Sequence, residues 1–431
     1  MSIFLIIAIA MAITLVLLRK HFPIGIAIMV AGIFIWLMTG PQINELTQAV
    51  VQMVSLPRNY DLVIALYLVI CLEIELRRSG CLTGMVQALY RMFSGPKFTL
   101  AVMPAFLGLL PSVGGARFSA PIVEEASKGL QITQENKAAI NFWFRHIFEF
   151  SSPIVPGMIL ACGIAGVKVG DLIIHLGWLT ILAFVLGWIV MVRPIHVVKN
   201  ERSLESAQEA HHHNVDFILA LAPVIVNVVL MVAFELNASV AMAIVVFAMF
   251  PVLMIFNRYV NLKEVFVGAL DYKMFANIIC ILLFIQLLDC TGLLAQIVSS
   301  FESSVLPVPV IIGCIAFIVG VLTGISQGHI AIVMPIVAAL SMGDLDLVGV
   351  AMVFGVAGQM ITPTHVCLTI TVDYFKSDFF KTLKEPSEGI YKEKMSKFLS
   401  FAHPVNTAEE AKDIIKSYQK KYFDARHVCW A

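Results

Sequence analysis

The chain has 431 residues, 59% of them hydrophobic and only 13% charged, with 29 basic residues balanced by 29 acidic ones. A soluble chain of this length carries charge near ~25% throughout, and a disordered or nucleic-acid-binding protein needs a charge excess that is missing here. Apolar runs recur instead, at residues 2–18, 22–39, 172–192, 215–234 and 274–288, each close to the ~20 residues that cross a bilayer as a helix. The composition points to an all-α polytopic membrane protein whose partner is the lipid bilayer, with no nucleic-acid partner.

In chain order, the first run lacks a basic segment before it, and its charges, Arg19 and Lys20, follow it. That predicts a retained helix rather than a cleaved signal. Tyr60 opens an apolar helix that ends in Arg78-Ser79-Gly80-Cys81-Leu82. Residues 97–130 then form two short apolar arms around Pro111-Ser112-Val113-Gly114-Gly115. Neither arm can span ~30 Å of hydrocarbon, so a re-entrant hairpin is expected. Irregular backbone at membrane depth survives only inside protein or beside a wet cavity. Residues 138–165 are long enough to span but are interrupted at Ser151-Ser152-Pro153-Ile154-Val155-Pro156-Gly157, where proline removes a backbone donor.

The same design recurs about 212 residues later. Tyr272 opens a helix ending in Cys290-Thr291-Gly292; residues 307–341 give a second hairpin around Gly324-Ile325-Ser326-Gln327-Gly328; residues 347–372 give a second broken helix, interrupted at Thr362-Pro363-Thr364. The expected domains are a first membrane repeat (1–193), a cytoplasmic linker (194–214), a second and inverted repeat (215–375), and a charged cytoplasmic tail (376–431). The tail holds 19 of the 58 charged residues, and an amphipathic helix is expected from Asn406 onward.

Nine spanning helices and two hairpins, with the N-terminus outside the plasma membrane and the C-terminus in the cytoplasm, put 25 of the 29 basic residues on the inner side. Five helices in the first half is an odd number, so the second half runs inverted. Inverted halves with broken helices meeting near the midplane are the construction of a secondary transporter. The candidate substrate-binding residues are the polar and glycine positions at the four breaks: Ser112, Gly114, Gly115, Arg117, Ser151, Ser152, Ser326, Gln327, Gly328, Thr362 and Thr364. Taken singly, each Ser or Thr is as well explained by helix packing; four polar breaks at repeat-related places favour a site. Arg117 is placed to grip a substrate carboxylate, with an ion pair to Glu124 or Glu125 as the alternative.

Glu149, His329 and His365 are the ion-coupling candidates. Arg145 and Glu149, spaced i, i+4, also suit a structural salt bridge. The eight cysteines include no CxxC pair and mostly lie in apolar runs, which suits buried small hydrophobes. His211-His212-His213 read as part of a solvated linker. No catalytic residue, no metal and no cofactor beyond a candidate sodium ion are expected. No HExxH and no P-loop lysine is present, and the chain is read as no enzyme.

Residues 111–121 (Pro-Ser-Val-Gly-Gly-Ala-Arg-Phe-Ser-Ala-Pro), 144–153 (Phe-Arg-His-Ile-Phe-Glu-Phe-Ser-Ser-Pro) and 359–365 (Gln-Met-Ile-Thr-Pro-Thr-His) resemble an uncharacterised membrane family, domain of unknown function 401. That family is grouped with the ion transporter superfamily, which includes gluconate and citrate permeases, sodium-coupled dicarboxylate carriers and arsenite pumps. The resemblance covers residues 1 to about 375 and implies an elevator-type carrier, with substrate and ions held between each hairpin tip and its broken helix. Where the dicarboxylate carriers have Ser-Asn-Thr at both tips, this chain has Ser112-Val113-Gly114 and Ser326-Gln327-Gly328. The expected function is gradient-driven permeation of a small organic anion, a carboxylate, coupled to protons or sodium. The alternatives are a passive anion channel and the membrane subunit of an anion pump with a separate ATPase. A homodimer is compatible with this reading.

Overall fold

The structure, a computed structural model, describes residues 3–20, 22–40, 42–92, 95–109, 115–197, 207–362, 365–378, 382, 389–393, 396–400 and 416. The chain divides into two compact units, Met1–Phe379 and Phe380–Ala431. The first is helical: α1 (Ile3–Arg19), α2 (Ile24–Met38), α3 (Ile43–Ser55), α4 (Pro57–Arg78), α5 (Cys81–Met92), α6 (Pro96–Leu109), α7 (Gly115–Ala126), α8 (Gln134–Arg145), α9 (Pro156–Ala165), α10 (Val169–Gly187), α11 (Ala207–Val232), α12 (Ala238–Ile255), α13 (Leu262–Gly268), α14 (Tyr272–Cys290), α15 (Leu293–Glu302), α16 (Val308–Thr323), α17 (Ser326–Leu340), α18 (Leu345–Met360) and α19 (Val366–Phe375). Its strands are β1 (Leu130–Gln131) and β2 (His196–Val197), paired antiparallel so that the end of α10's segment returns to the end of the α7 segment.

Four of these helices are long and apolar enough to cross a membrane: Val169–Val192, Val215–Val232, Ala238–Ile255 and Tyr272–Cys290. The first joins α10 to a π turn, Trp188–Val192, and turns an apolar stripe outward, with Ile181 69% and Val190 64% exposed. Bare apolar surface of this extent is what hydrocarbon covers. α4 has the length as well, 22 residues, but carries Asp61, Glu73 and Glu75. The architecture is that of an all-α, multi-pass membrane protein.

Local chemistry sets the helix ends. Pro57 occupies the first position of α4, where its missing N–H costs nothing. The Thr133 side chain accepts from Asn136 N at the start of α8, and Asp344 from Leu347 N at the start of α18. Asp61 reaches across from α4 to accept from the backbone N–H (3.0 Å) and the hydroxyl of Ser239 in the first turn of α12. α11 begins at Ala207, so residues 207–214, read above as linker, are helical; Ala207, Gln208, Glu209 and Ala210 all favour a helix.

Close packing is made by glycine. A Cβ on Gly320 would lie 2.2 Å from the Gly355 carbonyl oxygen, and one on Gly358 2.1 Å from that of Phe317, so α16 and α18 run backbone to backbone. Gly108 plays the same part between α6 and α8, where a Cβ would meet the Arg145 carbonyl oxygen at 1.9 Å.

In the second unit the described residues form an antiparallel hairpin, β3 (Gly389–Glu393) and β4 (Ser396–Ser400), with Gly389 opposite Ser400. The sequence reading had no strand there. The amphipathic helix expected from Asn406 lies outside the described residues apart from Lys416.

Candidate functional site

Three interruptions of helical structure supply the described polar groups. α8 stops at Arg145, passes through a 3-10 turn (Ile147–Phe150) and an extended step at Val155, and restarts as α9. α16 stops at Gly324, whose φ of 66° turns the chain into α17. α18 stops at Met360, and α19 starts after His365. The short helices α9, α17 and α19 therefore each begin at an interruption, where unpaired N–H groups and a partial positive charge gather.

The break between α8 and α9 touches all the others. Ser152, fully buried, donates to the Leu109 carbonyl at the end of α6 (3.4 Å) and accepts from Ile154 N (3.4 Å). Glu149 Oε2 accepts from Ser326 Oγ, the first residue of α17, at 3.0 Å. His146 packs edge-on against His365, the residue before α19, with ring centroids 4.7 Å apart. Gly157, in the first turn of α9, lies so close to Ser326 that a Cβ there would be 3.0 Å from the serine Cβ. The positive ends of α9 and α17 thus meet, with a carboxylate beside them. Such an arrangement is suited to anions.

Both histidines are oriented by backbone. His146 Nδ1 is 2.7 Å from the Phe142 carbonyl oxygen, and His365 Nδ1 is 3.0 Å from that of Gln359. Since a carbonyl only accepts, each Nδ1 carries the proton and each Nε2 the lone pair. Cys367, in the first turn of α19, completes a trio: one ring nitrogen of each histidine and the Cys367 Sγ lie within 4.8 Å of one another.

Not every expected residue reaches this place. Ser151 turns away, its hydroxyl 2.7 Å from that of Thr180 on α10. Gln327 and Gly328 lie in the first turn of α17, Gly328 packed on Thr323. His329 is fully buried against Gly355, and the side-chain amide of buried Gln359 has no hydrogen-bond partner among the described residues. Thr362 is buried at the second break. Gly115 and Arg117 are described as backbone in the first turn of α7, while Ser112, Gly114 and Thr364 lie outside the described residues.

Glu124 holds the buried Lys137 at 2.9 Å and Glu125 holds Lys128 at 2.6 Å; the Arg117 side chain lies outside the described residues. The i, i+4 argument for Arg145 and Glu149 fails for a geometric reason. The helix ends at Arg145, and the 3-10 turn swings Glu149 towards Ser326.

A family model described as "Protein of unknown function (DUF401)" matches residues 1–387. The chain belongs to this family. No curated protein matches it. Within this DUF401 chain the matched stretch includes α1 to α19.

Three residues at the site, and Glu75 in α4, carry polar groups to which the sequence reading gave no role there. His146 and Cys367 form the trio with His365. Asn141 on α8 donates to Thr371 on α19 at 3.1 Å, tying the two broken helices together. Glu75 in α4 is fully buried, with neither carboxylate oxygen hydrogen-bonded among the described residues. Glu75 had a legible signal, an acid inside the run Val-Ile-Cys-Leu-Glu-Ile-Glu-Leu. His146 had none, because only the fold brings it to residue 365.

A cavity of about 340 Å³ opens elsewhere, lined by Asp289, Leu294, Val298 and Ala339. Ala339 lies thirteen residues along α17 from Ser326, roughly 20 Å at the helical rise.

Proposed function

We propose that this protein is a secondary active transporter of a small organic anion, a carboxylate, driven by a proton or sodium gradient. The observation that carries the reading is the meeting of the α9 and α17 N-termini at Gly157 and Ser326, with Glu149 hydrogen-bonded to Ser326. A substrate carboxylate is attracted to the same donors that Glu149 now uses. Protonation of Glu149 removes its charge and releases those donors, which couples one proton to one anion. Arg145, buried next to Glu149, offers the compensating positive charge.

The inverted repeat belongs to the same proposal. It is supported by the order of elements, since α1–α9 and α11–α19 follow the same succession of long, short, hairpin and broken helices with α10 between them. It is supported too by four pairs of left-handed residues that end corresponding helices: Gly40 and Asn257, Gly80 and Gly292, Gly129 and Gly343, Gly166 and Lys376. Similarity to the ion transporter superfamily, nine spans, an elevator-like motion and an N-terminus outside the cell membrane complete the reading.

The test is uptake of radiolabelled mono- and dicarboxylates by proteoliposomes under an imposed pH or sodium gradient. Saturable, gradient-driven uptake is expected, with Glu149→Gln keeping carboxylate counterflow while losing its response to the pH gradient. Flux that neither saturates nor shows counterflow would make the protein a channel. Absence of flux for every anion tried, under both gradients, would remove the transporter reading.

A further inference from the structure

His146, His365 and Cys367 sit on two different breaks, yet a ring nitrogen of each histidine and the Cys367 Sγ lie within 4.8 Å of one another. Metal-binding histidines are held by a hydrogen bond from the other ring nitrogen to a carbonyl or carboxylate, which fixes the tautomer and the ring plane. In both histidines Nδ1 is held by a backbone carbonyl, Phe142 O and Gln359 O, which leaves Nε2 as the nitrogen to ligate. The rings are largely removed from solvent, with His146 9% and His365 5% exposed. Their rings meet edge-on with centroids 4.7 Å apart.

We propose that His146, His365 and Cys367 form a binding site for a thiophilic d10 cation, Zn²⁺ or Cu⁺. Two imidazole nitrogens and one thiolate are a donor set that suits these ions and is poor for Mg²⁺, Ca²⁺ or Na⁺. Zinc takes nitrogen at ~2.0 Å and sulfur at ~2.3 Å, which puts tetrahedral ligands roughly 3.5 Å apart, so the trio closes by about 1 Å on the ion. Three protein ligands leave a fourth position for water or a bound anion. Binding converts the Cys367 thiol to thiolate: the metal–sulfur bond forms, the S–H bond breaks, and one proton passes to solvent.

Arg145 lies beside Cys367 and Glu149 and opposes a cation, but thiolate and carboxylate together outweigh its single charge. The ion would fasten the end of α8 to the start of α19, beside the Asn141–Thr371 hydrogen bond that already joins these helices. The site does not depend on the transport reading, since its test measures metal alone.

The experiment uses the full chain without an affinity tag, in lipid nanodiscs, with His211, His212 and His213 replaced by alanine to remove the other histidine cluster. Zn²⁺ is titrated against a chromophoric chelator, and Co²⁺ is titrated as a spectroscopic probe. One Zn²⁺ per chain is expected, together with a near-ultraviolet thiolate-to-cobalt band. Cys367→Ala should abolish the band and weaken Zn²⁺ binding by at least ~100-fold, because even loss of a partner behind a ligand costs ~10–100-fold. His146→Ala and His365→Gln should weaken it comparably. Melting temperatures without metal report whether each variant is folded, and Cys367→Ser serves if the alanine variant is not. A parent protein that gives no band with excess Co²⁺, or a band that persists in folded Cys367→Ala or Cys367→Ser, overturns the proposal.

Discussion

Ser326 donates a hydrogen bond to the Glu149 carboxylate, so its hydroxyl has an energetic role that an isolated serine in a helix lacks. Ser326→Ala leaves Oε2 without that donor. A buried acceptor stripped of its partner costs about 1–3 kcal/mol, and the melting temperature in detergent should fall accordingly, while Ser326→Thr, which keeps the hydroxyl, should recover most of the loss. The exposed pair Lys168–Glu235, 2.6 Å apart between the α9–α10 and α11–α12 connections, behaves differently. The hydrogen bond and the charge of Lys168 lower the pKa of Glu235, and those of Glu235 raise that of Lys168. A lowered acid stabilises the fold above its unfolded value, near ~4.3 for glutamate, and that contribution is lost as pH falls through the folded value. The raised lysine contributes below ~10.4 and stops contributing as pH rises through its own folded value. Because both groups are exposed, salt screens the effect. The difference in melting temperature between the parent and Glu235→Gln should therefore shrink below pH 4 and vanish in high salt, as scanning fluorimetry across pH and ionic strength would show.

Helices α16 and α18 depend on side chains that are missing. Gly320 and Gly358 let the two backbones touch, and Gly355 gives room to the His329 ring, whose Cδ2 would lie 2.1 Å from a Cβ. Overpacking of this sort costs typically 1–3 kcal/mol and more where the obstacle is backbone. Gly320→Ala, which meets the Gly355 carbonyl, should therefore lower thermal stability more than Gly355→Ala, which meets a ring able to rotate. Much at this scale was readable beforehand. Gly324 marked the end of α16 and Pro156 the start of α9, because each acts on the backbone at its own position and needs no distant partner. What could not be read were events set by distant residues. The turn after Arg145 redirected Glu149, and His146 met His365 across 219 positions of sequence. The β3–β4 hairpin was hidden for another reason, since Gly389–Glu393 and Ser396–Ser400 are short and set in a charge-dense stretch without the alternating apolar pattern of a half-buried strand.

At the scale of the whole molecule, the proposed orientation assigns sides to the connections. Glu235 follows α11 and Lys263 lies in α13, so the proposal sends them to opposite faces of the membrane. A cysteine at Glu235 should react with an impermeant maleimide on intact cells, and one at Lys263 only after permeabilisation, each measured above the labelling of the parent chain. Labelling of both from the same face would end the proposed topology. The all-helical build was legible because a bilayer demands it, and the apolar runs declare their length directly.

The contact between Glu149 and Ser326 has a kinetic consequence for any cycle run by such a carrier. A binding place whose attraction for anions is already answered by an internal carboxylate has no strong electrostatic need for cargo. The unloaded form can then exist as a resting state with its fixed charges matched, and cargo must displace a tethered competitor. Apparent affinity should consequently rise in Glu149→Gln, even as the variant loses its link to protons, so tighter substrate binding and slower net movement would appear in the same protein.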